Sequence, residues 1–237
     1  MRIHYLQHVP FENPGTILDW ARKRGYPVTY TKLYENQILP TQTEFDWLVI
    51  MGGPMNIYEE SKYPWLVREK EFIKAAIDND KVLIGLCLGG QLISDVIGGR
   101  VIQNPHKEIG WFPITLTEAA LSLPCFSSFP ISPVVFEWHG DTFVDLPKEA
   151  VLLATNQACY NQAFVYRDRV FGFQFHLENT PQIINDLLEN CADEMFPSQY
   201  VLTPEEIQSG SVYIEQDNAL MNGFLCELEH MFDNVEG

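Results

Sequence analysis

Short, nearly continuous apolar segments alternate with segments of helical period in the amino-terminal half of the chain, and this alternation restricts the possible folds more than any other feature. Residues 2–6, 47–51 and 82–86 have the pattern of strands that are buried on both faces of a parallel sheet. Residues 17–24 and 65–77 carry apolar side chains at helical spacing. We therefore predict a doubly wound, mostly parallel α/β sheet that binds ligands at the carboxyl ends of its strands.

The pattern changes after Trp111, where shorter apolar runs are separated by Pro, Gly and Asn. Five strands are predicted there, at residues 112–116, 134–137, 151–154, 163–166 and 170–175. Further on, Thr203 to Glu206 match a helix N-cap with a capping box. We expect a three-layer, flavodoxin-like fold with one domain over residues 1–190. A helical carboxy-terminal appendage over residues 191–237 is expected to pack on that domain.

The charge balance excludes several classes of partner. The chain has 15 Lys and Arg against 32 Asp and Glu, a formal net charge of −17, which argues against binding of nucleic acid or of an anionic membrane surface. No apolar run reaches the ~18 residues needed to span a bilayer. The amino terminus also lacks the basic-then-apolar pattern of a signal peptide. We therefore expect a cytoplasmic protein.

The negative charge is concentrated towards the carboxyl end. Residues 170–237 contain thirteen acidic residues and no Lys or Arg, whereas residues 1–169 contain nineteen acidic residues and all fifteen Lys and Arg. Two interpretations are open: a solvated helix face that keeps the protein soluble, or a docking surface for a basic patch on a partner protein.

The five cysteines are widely spaced and include no CxxC pair, which argues against a disulfide framework or a zinc site. Cys87 differs from the other four because Gly85 and Gly89 flank it, between a buried strand and an apolar helix. A nucleophile on a strained strand-to-helix turn needs small residues at these positions, and a helix amino terminus favours the thiolate. Cys87 is therefore a candidate nucleophile, and the alternative is a buried cysteine in a glycine-rich turn.

His176 and Glu178 directly follow the last predicted strand. A cysteine nucleophile needs a base that takes its proton and a carboxylate that orients the imidazole. Alternate residues of an extended chain point the same way, so Glu178 can reach His176. A lone histidine at a strand end is usually structural, and His176 becomes a candidate base because it occurs together with Cys87.

A glycine pair, Gly52 and Gly53, follows the strand predicted at 47–51 and precedes Pro54. A tetrahedral intermediate needs backbone N–H donors close to its oxyanion, and glycine lets the backbone approach. The N–H groups of Gly53 and Leu88 are candidates for this oxyanion hole, although a GGP sequence alone is usually only a turn.

In this order the GGP loop, the G-x-C-x-G-x-Q elbow and the H-x-E pair resemble the class I, triad-type glutamine amidotransferases. The resemblance covers roughly residues 40–182 and is greatest to the glutaminase domain of GMP synthase and to stand-alone proteins similar to it. It implies that Cys87 is the nucleophile, His176 the acid and base, and Glu178 the orienting carboxylate.

The resemblance also implies a substrate-binding side of the site. Gly52, Gln91 and a loop formed by His139, Gly140 and Asp141 are expected near the amide, α-amino and carboxylate groups of bound glutamine. We expect no metal, because the other histidines show no ligand spacing, and no cofactor. The chain has no phosphate-binding loop, so ATP-dependent acceptor chemistry is expected on another chain, if it exists.

One position departs from the usual motif. Many members of the family have H-P-E, and Leu177 stands here where they have proline. We expect the exchange to alter backbone stiffness rather than the catalytic groups, although it bears on the placement of Glu178.

Three functions are compatible with these motifs. The first is a glutaminase that forms a Cys87 thioester and delivers ammonia to an acceptor protein such as a synthetase, or to solvent. The second is a stand-alone hydrolase of γ-glutamyl amides or peptides with the same triad. The third is a non-catalytic binding module, against which the complete triad argues.

Overall fold

The computed structural model describes residues 1–233 and contains ten strands. They are β1 (Ile3–Gln7), β2 (Val28–Lys32), β3 (Trp47–Ile50), β4 (Val82–Leu86), β5 (Arg100–Pro113), β6 (Thr115–Leu116), β7 (Val134–Val144), β8 (Ala150–Thr155), β9 (Ala163–Tyr166) and β10 (Val170–Phe173). Eight of them form one sheet in the order β2-β1-β3-β4-β10-β9-β8-β6. The pairs from β2 to β10 are parallel, and those from β10 to β6 are antiparallel. The predicted doubly wound α/β fold is confirmed.

Seven helices accompany the strands in the described part of the chain. They are α1 (Thr16–Arg24), α2 (Trp65–Asp78), α3 (Leu88–Val96), α4 (Glu118–Leu121), α5 (Pro181–Asn190), α6 (Pro204–Ser209) and α7 (Val212–Asp233). None of these helices is long and apolar enough to cross a membrane.

The sheet lies between two layers of helices. Along β3, Trp47 and Val49 join the core that α1 and α7 cover, whereas Leu48 and Ile50 join the core that α2 and α3 cover. Successive side chains of a strand point to opposite faces, so a strand covered on both sides must be apolar at every position. This accounts for the continuous apolar runs in the sequence.

Strands β5 and β7 form a separate antiparallel ribbon, which the sequence pattern did not predict. The single strand predicted at 112–116 is two strands, β6 and the end of β5, and β5 begins already at Arg100. Its register shifts between Gln103 and Glu108, around Pro105, which interrupts any regular alternation. Strand β7 runs on to Val144, so the segment 139–141, expected as a loop, is part of a strand.

The carboxy-terminal helices pack closely on the sheet. The capping box at the start of α6 is confirmed, with the side chains of Thr203 and Glu206 each bonded to the other's backbone N–H. Helix α7 adds four buried side chains to the core (Met221, Phe224, Leu225 and Leu228). The ring of Phe224 lies 5.1 Å from that of Phe171 in β10. A domain boundary at residue 190 remains a prediction.

The acidic residues of this segment are partly internal. Glu205 and Glu215 are exposed, but Asp217 and Glu229 are buried. Glu229 forms an ion pair with Arg24 at 2.6 Å. The charge of this segment therefore does not belong only to a solvated face.

Candidate active site

The thiol of Cys87 sits on a strained turn between β4 and α3. Cys87 has φ +49° and ψ −106°, a conformation that L-residues seldom adopt. A Cβ at Gly85 would lie 2.5 Å from the backbone of Gly89, and a Cβ at Gly89 would collide with the carbonyl of Ile50. The two flanking glycines are therefore required by packing, as the elbow motif predicts.

The elbow is anchored by backbone hydrogen bonds, and its thiol is nearly enclosed. The N–H of Cys87 donates to the carbonyl of Phe173 in β10 at 2.8 Å. The Sγ atom lies 3.5 Å from the carbonyl oxygen of Trp138 and 3.6 Å from Nε2 of Gln174. Because Cys87 directly precedes α3, it stands at the positive end of that helix.

His176 follows β10 and is held between Cys87 and Glu178. Its Nδ1 lies 2.7 Å from Oε1 of Glu178, and both side chains are buried. Burial opposes the charged imidazolium, but the charge of Glu178 and hydrogen bonds with Cys87 and Glu178 raise the pKa of His176 well above its usual value. This environment favours the imidazolium form of His176.

The Gly52-Gly53 loop is held by a buried pair that sequence reasoning missed. Nδ1 of His8 lies 2.9 Å from the carbonyl oxygen of Gly52, and Nε2 of His8 lies 2.9 Å from Oε1 of Glu69. The Gly52 C=O and the Gly53 N–H belong to one trans peptide unit, so they point in opposite directions. His8 therefore directs the Gly53 N–H away from itself. A Cβ at Gly53 would lie 3.1 Å from the side chain of Leu88. The two residues that carry the candidate oxyanion donors are therefore neighbours in space.

A cavity of about 330 Å³ opens above these groups. Seven of the ten predicted site residues line it (Gly53, Cys87, Gln91, His139, Gly140, Asp141 and His176). Of the other three, Glu178 lies behind His176, Gly52 lies beside it, and Leu88 starts α3 with its side chain in the core. The cavity thus brings together predicted residues from α3, from β7 and from the segments after β3, β4 and β10.

Gln91 and Asp141 meet on one wall of the cavity. Nε2 of Gln91 donates to the carbonyl oxygen of Asp141 at 3.1 Å and to Oε1 of Gln174 at 3.2 Å. The carboxylate of Asp141 accepts a hydrogen bond from Asn56 at 2.7 Å. These contacts fix the polar side chains of this wall before any ligand enters.

His139 is tied into a buried carboxylate cluster. Its Nε2 lies 3.0 Å from Glu108 and 3.4 Å from Glu137, and its Nδ1 lies 2.9 Å from the carbonyl oxygen of Asp141. Burial works against the charged ring, but the bonds to Glu108 and Glu137 raise the pKa of His139 well above its usual value. His139 therefore acts as an internal cation at the cavity wall.

Within residues 1–233, Glu108, His139 and Cys159 form the group that could hold a metal ion, with ligand atoms within 4.8 Å of one another. These atoms already have partners: Glu108 accepts from Asn156 at 2.6 Å, and Cys159 lies 3.1 Å from the hydroxyl of Thr142. Burial raises the pKa of the Cys159 thiol, which disfavours the thiolate that a metal would need. The cluster fits a closed hydrogen-bond network better than a metal site.

Comparison with known proteins identifies the family. A family model described as glutamine amidotransferase class-I matches residues 14–195. The chain belongs to the class-I glutamine amidotransferase family. It is 38% identical to a Salmonella typhimurium protein with the provisional name glutamine amidotransferase-like protein YfeJ, over 96% of this chain and 97% of that protein.

Two further relatives support this assignment. The chain is 30% identical to one subunit of a glutamine-hydrolysing GMP synthase from Thermoplasma acidophilum, over 62% of this chain and 71% of that protein. A crystal structure of a glutamine amidotransferase from Thermotoga maritima is 29% identical with a TM-score of 0.86, covering 97% of this chain and 98% of that one. In this class-I chain, α6 and α7 lie beyond the residues that the family model matches.

Proposed function

We propose that this protein hydrolyses the side-chain amide of glutamine, or a closely related γ-glutamyl amide, through a thioester on Cys87. The observation that carries this proposal is that Cys87 and His176 line the same cavity, with the cysteine on the elbow and Glu178 bonded to Nδ1 of His176. Membership of a family whose members are typically cysteine-dependent amide hydrolases supports it.

The first step is acylation. The Cys87 thiolate attacks the amide carbon, and the N–H groups of Gly53 and Leu88 stabilise the oxyanion that forms. The imidazolium of His176 gives its proton to the amide nitrogen, the C–N bond breaks, and ammonia or an amine departs. A γ-glutamyl thioester remains, and His176 is neutral.

The second step is deacylation. Neutral His176 takes a proton from water, and the resulting hydroxide attacks the thioester carbon at the same oxyanion site. Collapse of the intermediate breaks the C–S bond, which releases glutamate and restores the thiolate and imidazolium. Glu178 keeps Nδ1 of His176 bonded in both steps, so that Nε2 faces the reacting atoms.

The γ-glutamyl part of the substrate is proposed to bind against Gly52, Gln91, His139, Gly140 and Asp141. The fixed contact between Gln91 and Asp141 supports this, because a pre-organised wall loses little entropy when the ligand binds. No nucleic acid, membrane, metal or cofactor takes part in the proposed reaction.

The ammonia acceptor belongs to the same proposal. A synthetase or acceptor protein on another chain is supported by the similarity to a protein named as one subunit of a glutamine-hydrolysing GMP synthase. The stand-alone hydrolase of γ-glutamyl amides or peptides is the second candidate. The cavity favours it, because buried Glu12 lines the cavity next to His176, the residue proposed to protonate the departing amine.

The test is glutamate release by the purified protein from glutamine and from γ-glutamyl amides, with and without cell extract. We expect Cys87→Ala to lower turnover at least about 10⁴-fold, and a glutamine-like electrophile to label Cys87. Cys191→Ala is the matched control, because Cys191 lines the same cavity but burial raises its thiol pKa to about 12. Absence of turnover and of Cys87 labelling under every condition would favour the non-catalytic binding module instead.

A further inference from the structure

The loop after β1 places a buried carboxylate in the cavity that the proposed mechanism does not use. Glu12 is 7% exposed and lines the cavity together with Cys87 and His176. Within residues 1–233 its carboxylate has no hydrogen-bond donor and no ion-pair partner. Burying a charge without partners is costly, so a group of this kind calls for a ligand that compensates it.

The position of Glu12 is set by Gly52. A Cβ at Gly52 would collide with Oε2 of Glu12 and would lie 3.2 Å from Cε1 of His176. Glu12 and the imidazole therefore lie side by side against the same glycine. Any side chain larger than hydrogen at residue 52 would fill the place that the carboxylate takes.

This position is on the side of the departing amine. His176 supplies the proton to the leaving nitrogen in the proposed mechanism, and Glu12 adjoins His176. Of the residues proposed to bind the γ-glutamyl part, Gly52 adjoins Glu12, whereas Gln91 and Asp141 are bonded to each other and not to Glu12. A substituent on the leaving nitrogen would therefore lie next to Glu12, and the amino-acid end of the substrate would lie next to Gln91 and Asp141.

The surroundings leave the charge of Glu12 for a ligand to balance. Lys107 lines the same cavity but forms an ion pair with Glu194 at 2.9 Å. Burial raises the pKa of Glu12 to about 7, although His176 and His8 act in the opposite direction. A cation bound beside the carboxylate stabilises its ionised form.

We propose that Glu12 forms a leaving-group subsite for an ammonium group, so that the preferred substrates are γ-glutamyl amides of amines that carry a second, protonated amino group. This inference rests on the proposed function and specifies its substrate class. The thioester forms as before: the C–N bond breaks, His176 protonates the leaving nitrogen, and Glu12 holds the distal ammonium until the diamine departs.

Three amides of similar length test the subsite: the γ-glutamyl amides of 1,4-diaminobutane, of pentylamine and of 4-aminobutanoate. For the wild type we expect kcat/KM to fall in that order, with about 10- to 100-fold between the cationic and the neutral amide, the range of one charge-assisted hydrogen bond. Glu12→Gln should bring the cationic amide to the level of the neutral one and leave the neutral one nearly unchanged.

The matched control is Glu59→Gln. Glu59 lines the same cavity, but its carboxylate accepts the backbone N–H of Asn56 at 3.0 Å, so its removal should not alter the ratio between the amides. An equal ratio of kcat/KM between the cationic and the neutral amide in the wild type and in Glu12→Gln would overturn the subsite. The subsite would also be overturned if Glu12→Gln lowered kcat/KM equally for all three amides but not for analogues that lack the α-amino group. Glu12 would then bind the α-ammonium of the substrate.

A binding measurement separates this inference from the proposed reaction. Titration calorimetry of 1,4-diaminobutane against Cys87→Ala, with and without Glu12→Gln, reports the subsite in the absence of turnover. Binding that depends on Glu12, together with no hydrolysis of any amide by the wild-type enzyme, would support the subsite and contradict the reaction. Hydrolysis of glutamine with no binding that depends on Glu12 would support the reaction and overturn the subsite.

Discussion

The backbone N–H of Leu177 donates a hydrogen bond to Oε2 of Glu178, the next residue in the chain, at 3.0 Å. The other carboxylate oxygen of Glu178 faces Nδ1 of His176 at 2.7 Å. Proline, which resembling sequences have at position 177, has no N–H to donate. With leucine at position 177, the backbone therefore supplies a hydrogen-bond donor for the Glu178 carboxylate. The sequence led us to expect a change in backbone stiffness but not this contact.

Leu177→Pro should lower kcat/KM about tenfold, because it removes one charge-assisted hydrogen bond from the carboxylate that orients His176. Leu177→Met is the matched control, since it keeps the N–H and nearly the same buried volume. Initial rates with glutamine or a γ-glutamyl amide, together with thermal unfolding of both variants, provide the measurement. Equal activity of the two variants at equal stability would show that the N–H has no role in orienting Glu178.

His8→Phe should lower kcat about 10²- to 10³-fold with little change in KM, the range expected for loss of one oxyanion donor. Without the bond from His8, the peptide between Gly52 and Gly53 is free to rotate, and the Gly53 N–H no longer faces the oxyanion. His4→Phe is the matched control. His4 is buried like His8, but it lies on β1 and bonds to Thr29 and Thr31.

Alkylation by iodoacetamide separates this role from a general loss of structure. The displacement at its methylene carbon forms no tetrahedral oxyanion, so His8→Phe should react at Cys87 at nearly the wild-type rate. If alkylation falls as much as turnover does, His8 supports the fold of the site rather than the direction of one peptide.

The parts of the fold that could be predicted from sequence are those set by local pattern. Strands β3 and β4 are covered on both faces and are therefore apolar throughout, and Gly85 and Gly89 mark a turn that excludes side chains. These features need no knowledge of distant residues. They were enough to predict that Cys87 and His176 share one cavity and that Glu178 is bonded to His176.

The features that could not be predicted depend on partners far along the chain. His8 is bonded to Glu69, sixty-one residues away, and neither residue stands in a motif. One feature of the sequence could have indicated Glu12 as a site residue. It follows shortly after the end of β1, at the edge where doubly wound sheets bind ligands. Strand β5 pairs with β7 across an irregular register, which no short-range periodicity reveals.

Helix α7 reaches the catalytic segment through Asn218. Its Nδ2 donates to the carbonyl oxygens of Asn179 at 2.8 Å and of Leu177 at 3.3 Å, the two neighbours of Glu178. Asn218→Ala should therefore lower kcat about three- to tenfold, the range of one neutral hydrogen bond, and change KM little. Helix α7, which lies outside the residues that the family model matches, would then help to position catalytic residues that lie inside that match.

Asn222→Ala is the matched control, because Asn222 lies one turn further along α7 and donates to the carbonyl oxygen of Asn218 at 2.7 Å without a bond to the catalytic segment. Both variants should unfold at slightly lower temperature than the wild type. Equal kcat values in the two variants would show that Asn218 contributes only to stability. Deleting residues 200–237 is a poorer test of α7, since it also removes core residues such as Phe224.

Asp217 makes the stability of the protein depend on pH in a direction opposite to that of an ordinary paired carboxylate. Burial raises its pKa from 3.8 to about 8, although the N–H of Phe136, which donates to Oδ2 at 3.2 Å, acts in the other direction. The folded state therefore keeps a proton on Asp217 that the unfolded state releases above about pH 4. Stability from this group is full below pH 3.8 and is lost as the pH rises towards 8.

Asp217→Asn removes this dependence, because the amide is neutral at every pH and its oxygen still accepts from Phe136. The free energy of unfolding of the variant minus that of the wild type should therefore rise between pH 5 and 7, by up to about 1.4 kcal/mol per pH unit. The pKa values of Glu12 and Glu137 are raised to about 7. Their contributions to the free energy of unfolding depend on pH in the same way in both proteins, so these contributions cancel in the difference. Glu215→Gln is the matched control, since it removes an exposed acid from the same helix. Urea unfolding at several pH values provides the measurement, and a difference that stays constant with pH would show that Asp217 is ionised in the folded protein.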